Sequence, residues 1–239
     1  MKKIFVNLFF ITILTGITSL SIASTTLIDT YTGNTYSGSA GYHNLAYWGS
    51  STTKTYGQIF TPSTNINVSS VSFYLKKREV TDAIAQPFKA YIYEYSDSAV
   101  AVTGSAIAQS LQTDSTISTS VTEVSATFSS AAALTAGTEY ITFYTIIDAT
   151  GTQSNDLYYW LKSDVIDSQV GGYWYNNSDT DFTTSGVTSG SNYRLAFTLL
   201  DSTVADECAG TGPNCKDLNY WETIAYFGLT PVFTWFPSP

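Results

Sequence analysis

Through most of this chain apolar and polar side chains alternate with a period of two, the spacing of a strand with one face turned inward. Val71, Phe73 and Leu75 share one face of 71–75. Phe88, Ala90 and Ile92 share one face of 88–95, with Tyr91, Tyr93 and Tyr95 on the other, and Val124, Ala126 and Phe128 repeat the pattern. Segment 140–146 carries apolar residues on both faces, which predicts a central strand buried on both sides. Leu195, Phe197 and Leu199 mark a late strand. Weaker strands are predicted over 40–48, 56–61, 105–111, 157–161 and 170–175. Turn-forming residues separate them at Gly33-Asn34, Asp97-Ser98, Ala136-Gly137, 148–155 and 185–192. No window keeps helical periodicity for more than about two turns, and no repeat of about 20–50 residues occurs. About ten short strands at this spacing predict an all-β fold, an antiparallel and jelly-roll-like β-sandwich, with an up-and-down barrel as the alternative. The irregular spacing and loops disfavour an outer-membrane barrel.

Composition supports the strand reading. Of 239 residues, 44% are apolar and 15% aromatic, enough to build a core, while only 12% are charged. Ser and Thr together number 66, and good helix formers are sparse. The net charge is −9, and closer to −11 once Lys2 and Lys3 are removed. Such an acidic chain repels phosphate backbones and anionic lipid, so nucleic acid is not an expected partner. The one basic cluster, Lys76-Lys77-Arg78, reads as a charged strand end that keeps a sheet edge soluble.

The first residues read as a signal peptide: Lys2-Lys3, an apolar stretch from Ile4 to about Ile17, and small residues at Ser21 and Ala23. Cleavage after Ala23 is expected, with an uncleaved membrane anchor as the alternative. Nothing later offers a membrane span of about 20 apolar residues. The expected organisation is a signal peptide over 1–23, a β-sandwich domain over 24–201 and a C-terminal tail over 202–239. The expected location is outside the cell or on its surface. Export favours an oxidised pair, and Cys208 and Cys215 flank six residues with two Gly and a Pro, which suits a small disulfide loop. The tail then becomes aromatic, with Trp221, Tyr226, Phe227, Phe233, Trp235 and Phe236. It either packs back on the sandwich or forms a patch that docks elsewhere.

Several short patterns follow one another between about residues 50 and 200. They are Gly57-Gln58-Ile59-Phe60-Thr61-Pro62, Val71-Ser72-Phe73-Tyr74-Leu75, Phe88-Lys89-Ala90-Tyr91-Ile92-Tyr93-Glu94-Tyr95, Leu134-Thr135-Ala136-Gly137-Thr138-Glu139-Tyr140, Gly171-Gly172-Tyr173 and Leu195-Ala196-Phe197. Their order and spacing resemble a loose group of exported bacterial β-sandwich proteins, many of which end in a PEP-CTERM-type sorting signal. The resemblance implies an extracellular jelly-roll-like domain and transfers no catalytic residues. Tyr95-Ser96-Asp97 stands where the group often has Trp followed by Asp or Asn and Gly, and Tyr193-Arg194 stands where an Asp-Leu pair is usual. The sorting signal itself is absent from the C-terminus. Each pattern also has a structural reading. Gly137 suits a turn with positive φ, the Tyr140 hydroxyl can tie that turn down, and Gly171-Gly172 suits a bulge.

Chemistry is sparse. His43 is the single imidazole and no Gly-x-Ser-x-Gly elbow surrounds a Ser, so a Ser-His-Asp hydrolase is not expected. Glycoside hydrolysis needs only two carboxylates, but Glu94, Glu123 and Glu139 are not paired by spacing. The chain is therefore read as a non-enzyme. Asn177, Asp179 and Asp181 concentrate side-chain oxygens in the 176–181 segment, which makes calcium possible there, with 148–156 a weaker candidate; no other cofactor is expected. Aromatic display is the strongest lead. Sugars stack apolar C–H faces on flat rings while amides and carboxylates bind their hydroxyls. Tyr173, Trp174, Tyr175 and Asn176 offer both in one segment, with Trp160 in 158–160 and Tyr47-Trp48 as further platform. The expected partner is an extracellular glycan or cell-surface component. The alternative is a structural surface protein or adhesin that associates through strand edges or the aromatic tail.

Overall fold

The computed structural model describes residues 25–35, 48, 53–80, 83–154, 158–188 and 194–201. The signal segment, His43, Tyr47, Cys208, Cys215 and the aromatic tail lie outside them. The described residues are all-β, with fourteen strands: β1 (Thr25–Asp29), β2 (Thr55–Phe60), β3 (Ile66–Lys77), β4 (Gln86–Ser96), β5 (Ala101–Gln109), β6 (Thr113–Ser115), β7 (Thr122–Leu134), β8 (Tyr140–Thr145), β9 (Tyr158–Trp160), β10 (Lys162–Ser163), β11 (Val170–Asn176), β12 (Val187–Thr188), β13 (Arg194–Leu195) and β14 (Phe197–Asp201). The count exceeds the expected ten because five of them are only two or three residues long. No described helix is long and apolar enough to cross a membrane.

The strands form an antiparallel sandwich. One sheet runs β1-β14-β3-β7, with β9 also on β3; the other runs β12-β11-β2-β8-β4-β5, with β6 on β4. β10 and β13 pair with each other as a separate two-stranded ladder that packs against β2 and β11. The inner faces meet in one core. Val71, Phe73, Leu75, Val124, Ala126 and Phe128 come from the first sheet, and Tyr56, Phe60, Phe88, Ala90, Ile92 and Tyr144 from the second. Apart from Tyr56, Phe60 and Tyr144, these are the positions the two-residue period marks as sharing one face. Tyr144 locks the layers together, its hydroxyl 2.8 Å from the Val71 carbonyl and 2.7 Å from that of Val124. β8, flanked by β2 and β4, is buried along its whole length, as expected of a strand apolar on both faces.

Two turn readings are visible directly. Gly137 has φ +75°, and the Tyr140 hydroxyl accepts a hydrogen bond from the Thr135 amide at 2.9 Å. At Gly171-Gly172 the β11–β2 register shifts, the bulge expected there. Gln58 plugs that bulge. Its amide nitrogen lies 2.9–3.0 Å from the carbonyls of Ile59, Gly171 and Gly172, and its oxygen accepts from the Leu195 amide at 2.8 Å. In the basic cluster, Lys77 is buried, with its ammonium 5.8 Å from the Tyr158 ring centre.

Candidate functional site

The segment expected to display aromatic rings instead builds core. Trp174 lies on the outer face of the second sheet, in register with Gly57 and through it with Phe143. A Cβ on Gly57 would come within 2.5 Å of the Phe143 Cβ, so only glycine lets the strands carry these two large rings side by side, 5.8 Å apart. The chain before β12 then passes over the indole. A Cβ on Gly186 would stand 2.4 Å from the Trp174 ring. The indole Nε1 donates to the Val100 carbonyl at 3.1 Å, which also accepts from the Gly186 amide at 2.9 Å. Trp174 is fully buried as a result. Phe182, from the loop between β11 and β12, seats against Tyr91, Phe143 and Tyr93 at 5.0, 5.3 and 6.2 Å. Together with Ile59, Ile141 and Tyr95 these residues form a second core on the outside of the sheet.

Most of the other proposed platform residues are enclosed as well. Tyr173 is buried in the core between the sheets, and Tyr175 packs half-buried against Tyr56. Trp160 lies in the middle of that core, within about 5 Å of Phe73, Tyr56 and Trp48. Asn176 is buried too; its amide donates to Thr184 and its oxygen accepts from the Ser178 amide. Of these side chains Tyr173, Trp160 and Asn176 are closed to solvent, and Tyr175 is half-buried.

The oxygens expected to hold calcium are each engaged by a different protein partner. Asn177 Oδ1 accepts from Thr53 Oγ1 at 2.6 Å, Asp179 pairs with Lys54 at 3.3 Å, and Asp181 accepts from the Thr183 amide and hydroxyl. Those last bonds hold the Asp181 carboxyl below its usual range. Each oxygen stabilises the loop that carries Phe182 over the sheet. Among the described residues no three His, Cys, Asp or Glu side chains come together.

The ring that solvent does reach is one the sequence reading passed over. Among the described residues Tyr31 is the only aromatic in the set of exposed large apolar side chains, at 38% exposure. It belongs to the turn after β1 and lies flat on Tyr74 of β3, ring centres 3.6 Å apart and planes 9° from parallel. Asp29 fixes the turn, its Oδ1 accepting from the amides of Tyr31 and Thr32 at 2.8 and 3.0 Å, and the Asn34 amide donates back to the Tyr31 carbonyl. Partial burial works against the Asp29 charge, but hydrogen bonds from Thr32, Tyr31 and Thr198 outweigh it and hold the carboxyl below its usual range. Beneath, the Tyr74 hydroxyl lies 3.3 Å from Thr198 Oγ1, and Leu161 and Ala196 close the patch with Tyr159 at its margin. Burial first, and then the charges of Glu123 and Asp29, push the Tyr74 phenol up, so it stays a neutral donor. The surrounding face of the first sheet is hydroxylated, with Ser72 and Ser125 paired at 2.7 Å.

Other concavities offer less. A shallow groove of about 230 Å³ lined by Ile84, Pro87, Asp114 and Thr150 is smaller than most small-molecule sites. Of the carboxylates weighed for hydrolysis, Glu94 and Glu123 are exposed, and Glu139 is half-buried at the start of β8. No protein-family profile matches the chain, and no curated protein matches it.

Proposed function

We propose that this is an exported, non-enzymatic β-sandwich that binds extracellular carbohydrate, with Tyr31 rather than Trp174 as the stacking ring. The carrying observation is that Tyr31, alone among the described aromatic residues, ranks as exposed and is held rigid, flat on Tyr74 and in the Asp29 turn. A pre-ordered ring binds without a further loss of side-chain entropy. The groups around it match a sugar's mixed surface: a flat apolar face and the ionised, half-buried Asp29.

The test is a glycan array of the full exported chain, followed by titration of any hit. Tyr31→Ala removes an exposed ring and leaves the fold intact by circular dichroism. It should weaken binding about tenfold or more, close to 1.4 kcal/mol, while Tyr31→Phe keeps most of the affinity. Equal affinity in Tyr31→Ala rejects the site. Absence of any hit, together with concentration-dependent mass in sedimentation, favours association through strand edges or the tail.

A further inference from the structure

Independently of the carbohydrate reading, the outer face of the second sheet is closed by two connections that meet at one strained residue. The loop between β11 and β12, residues 177–186, crosses that face and carries a single large apolar side chain, Phe182, which is also its only buried residue. Phe182 sits against Phe143 at 5.3 Å and Tyr91 at 5.0 Å. Much of the loop's other bonding is internal. Ser178 Oγ accepts from the Asp181 amide at 3.0 Å, and the Asp181 carboxylate from the Thr183 amide at 2.8 Å. Outward, Asn177 meets Thr53, Asp179 meets Lys54, Ser185 Oγ donates to the Ala99 carbonyl at 3.0 Å, and the Gly186 amide donates to the Val100 carbonyl at 2.9 Å. Val100 belongs to the β4–β5 turn, residues 97–100. Its φ of +52° is the only positive value outside glycine among the described residues, and a β-branched side chain is strained there. The same carbonyl also accepts from the Trp174 indole Nε1 at 3.1 Å, and the Val100 side chain packs on the second core. One strained peptide therefore joins the turn, the loop and the indole.

We propose that the 97–100 turn and the 177–186 loop form a clasp that opens as a unit ahead of global unfolding, with the Val100 carbonyl as its catch. The loop's exposed polar ties exchange for water with little net loss. Phe182 alone buries a large apolar side chain, so closure rests on one ring and on the two hydrogen bonds to the Val100 carbonyl. Releasing the Gly186 and Trp174 bonds lets Val100 return to negative φ, so the strain of the closed turn favours release. The internal bonds of the loop persist, and it swings as one piece. What it bares is the row Trp174, Phe143 and Tyr91, neighbours at 5.8 and 5.6 Å that are buried in the closed state. Few buried apolar contacts and many exposed bonds are the marks of a segment that opens locally.

The test is native-state hydrogen exchange of the full exported chain. The reporters are the Gly186 amide and the Trp174 indole N–H, and the β8 amides measure global unfolding. Both reporters should show the same protection, at least about a hundredfold below that of β8. Low urea should lower the protection of β8 steeply and that of the reporters little, because opening exposes far less surface than unfolding. Phe182→Ala should cut the reporters' protection about tenfold or more. Val100→Asn, whose side chain tolerates positive φ, should raise it about threefold or more. Protection unchanged or reduced in Val100→Asn means that the catch holds no strain and overturns the proposal, as does protection unchanged in Phe182→Ala. Ile92→Val weakens the main core outside the clasp and should lower β8 alone, about threefold or more. A matching fall at the reporters, or reporters as protected as β8 in the parent, shows that they open only by global unfolding and overturns the clasp.

Discussion

At the scale of single residues, Trp174 shows that an aromatic-rich strand need not display its rings. Trp174 lies on the opposite face of β11 from Tyr173, each in a different core. What covers that face comes from Gly186 and Phe182, more than seven residues away on a loop with no period to read. Trp174→Ala should therefore destabilise the domain by about 3–5 kcal/mol through an aromatic-sized cavity, rather than act as a clean binding mutant. Urea denaturation followed by circular dichroism measures this; a loss below about 1 kcal/mol would mean that the indole is not packed as described. Gly186→Ala tests the same contact from the other side. Its Cβ would meet ring and backbone together, within 2.5 Å, so the fold must shift, at a cost of about 1–3 kcal/mol. Tyr31 escaped notice for the complementary reason. It sits in a turn, Asp29-Thr30-Tyr31-Thr32-Gly33-Asn34, where only the turn chemistry is legible and not the ring of β3 on which it lies.

At the scale of elements, the strands most readable in the sequence are those whose alternation marks an inner face. β3, β4 and β7 carry their predicted inner residues at 0–5% exposure because these face the core between the sheets. The short strands β6, β10, β12 and β13 carry too few residues to establish a period, so only tertiary pairing defines them. Gln58 illustrates what pattern alone misses. A polar residue in an otherwise apolar strand looks like an outward position, yet it is fully buried because the bulge at Gly171-Gly172 exposes carbonyls that need donors. Gln58→Leu keeps the volume but strands those carbonyls and the Leu195 amide. It should cost about 2–4 kcal/mol, and hydrogen exchange should accelerate first in β11 and β13. Uniform exchange with no loss of stability would show that water substitutes for the side chain. Trp160 fell on the wrong side of the same ambiguity: Tyr158, Tyr159 and Trp160 alternate, and the outward member is the half-buried Tyr159.

At the scale of the whole molecule, the second sheet is apolar on both faces, so the protein is a sandwich with an additional small core held on by one loop. That architecture concentrates tyrosines in places where a phenolate is costly. Burial is the first cause in each of Tyr56, Tyr74, Tyr91, Tyr93, Tyr95 and Tyr144, and every one is pushed up from its ordinary value. At Tyr91 the hydroxyl also donates to Asp148 at 2.7 Å, a bond that only the neutral phenol can make. The sign follows directly. A group whose folded pKa lies above its unfolded one keeps its full contribution below the unfolded value, about 10, and loses it as pH rises toward the folded value. Six such groups lie in the two cores and the patch beneath Tyr31, so their losses add within one structure. Stability should therefore be flat from neutral pH to about pH 10 and then fall steeply. Tyrosinate absorbance of these buried phenols should rise in one cooperative step that coincides with loss of the β-sheet signal. A gradual rise completed while the sheet signal persists would mean that these phenols ionise in the folded state and that the second core is open to hydroxide.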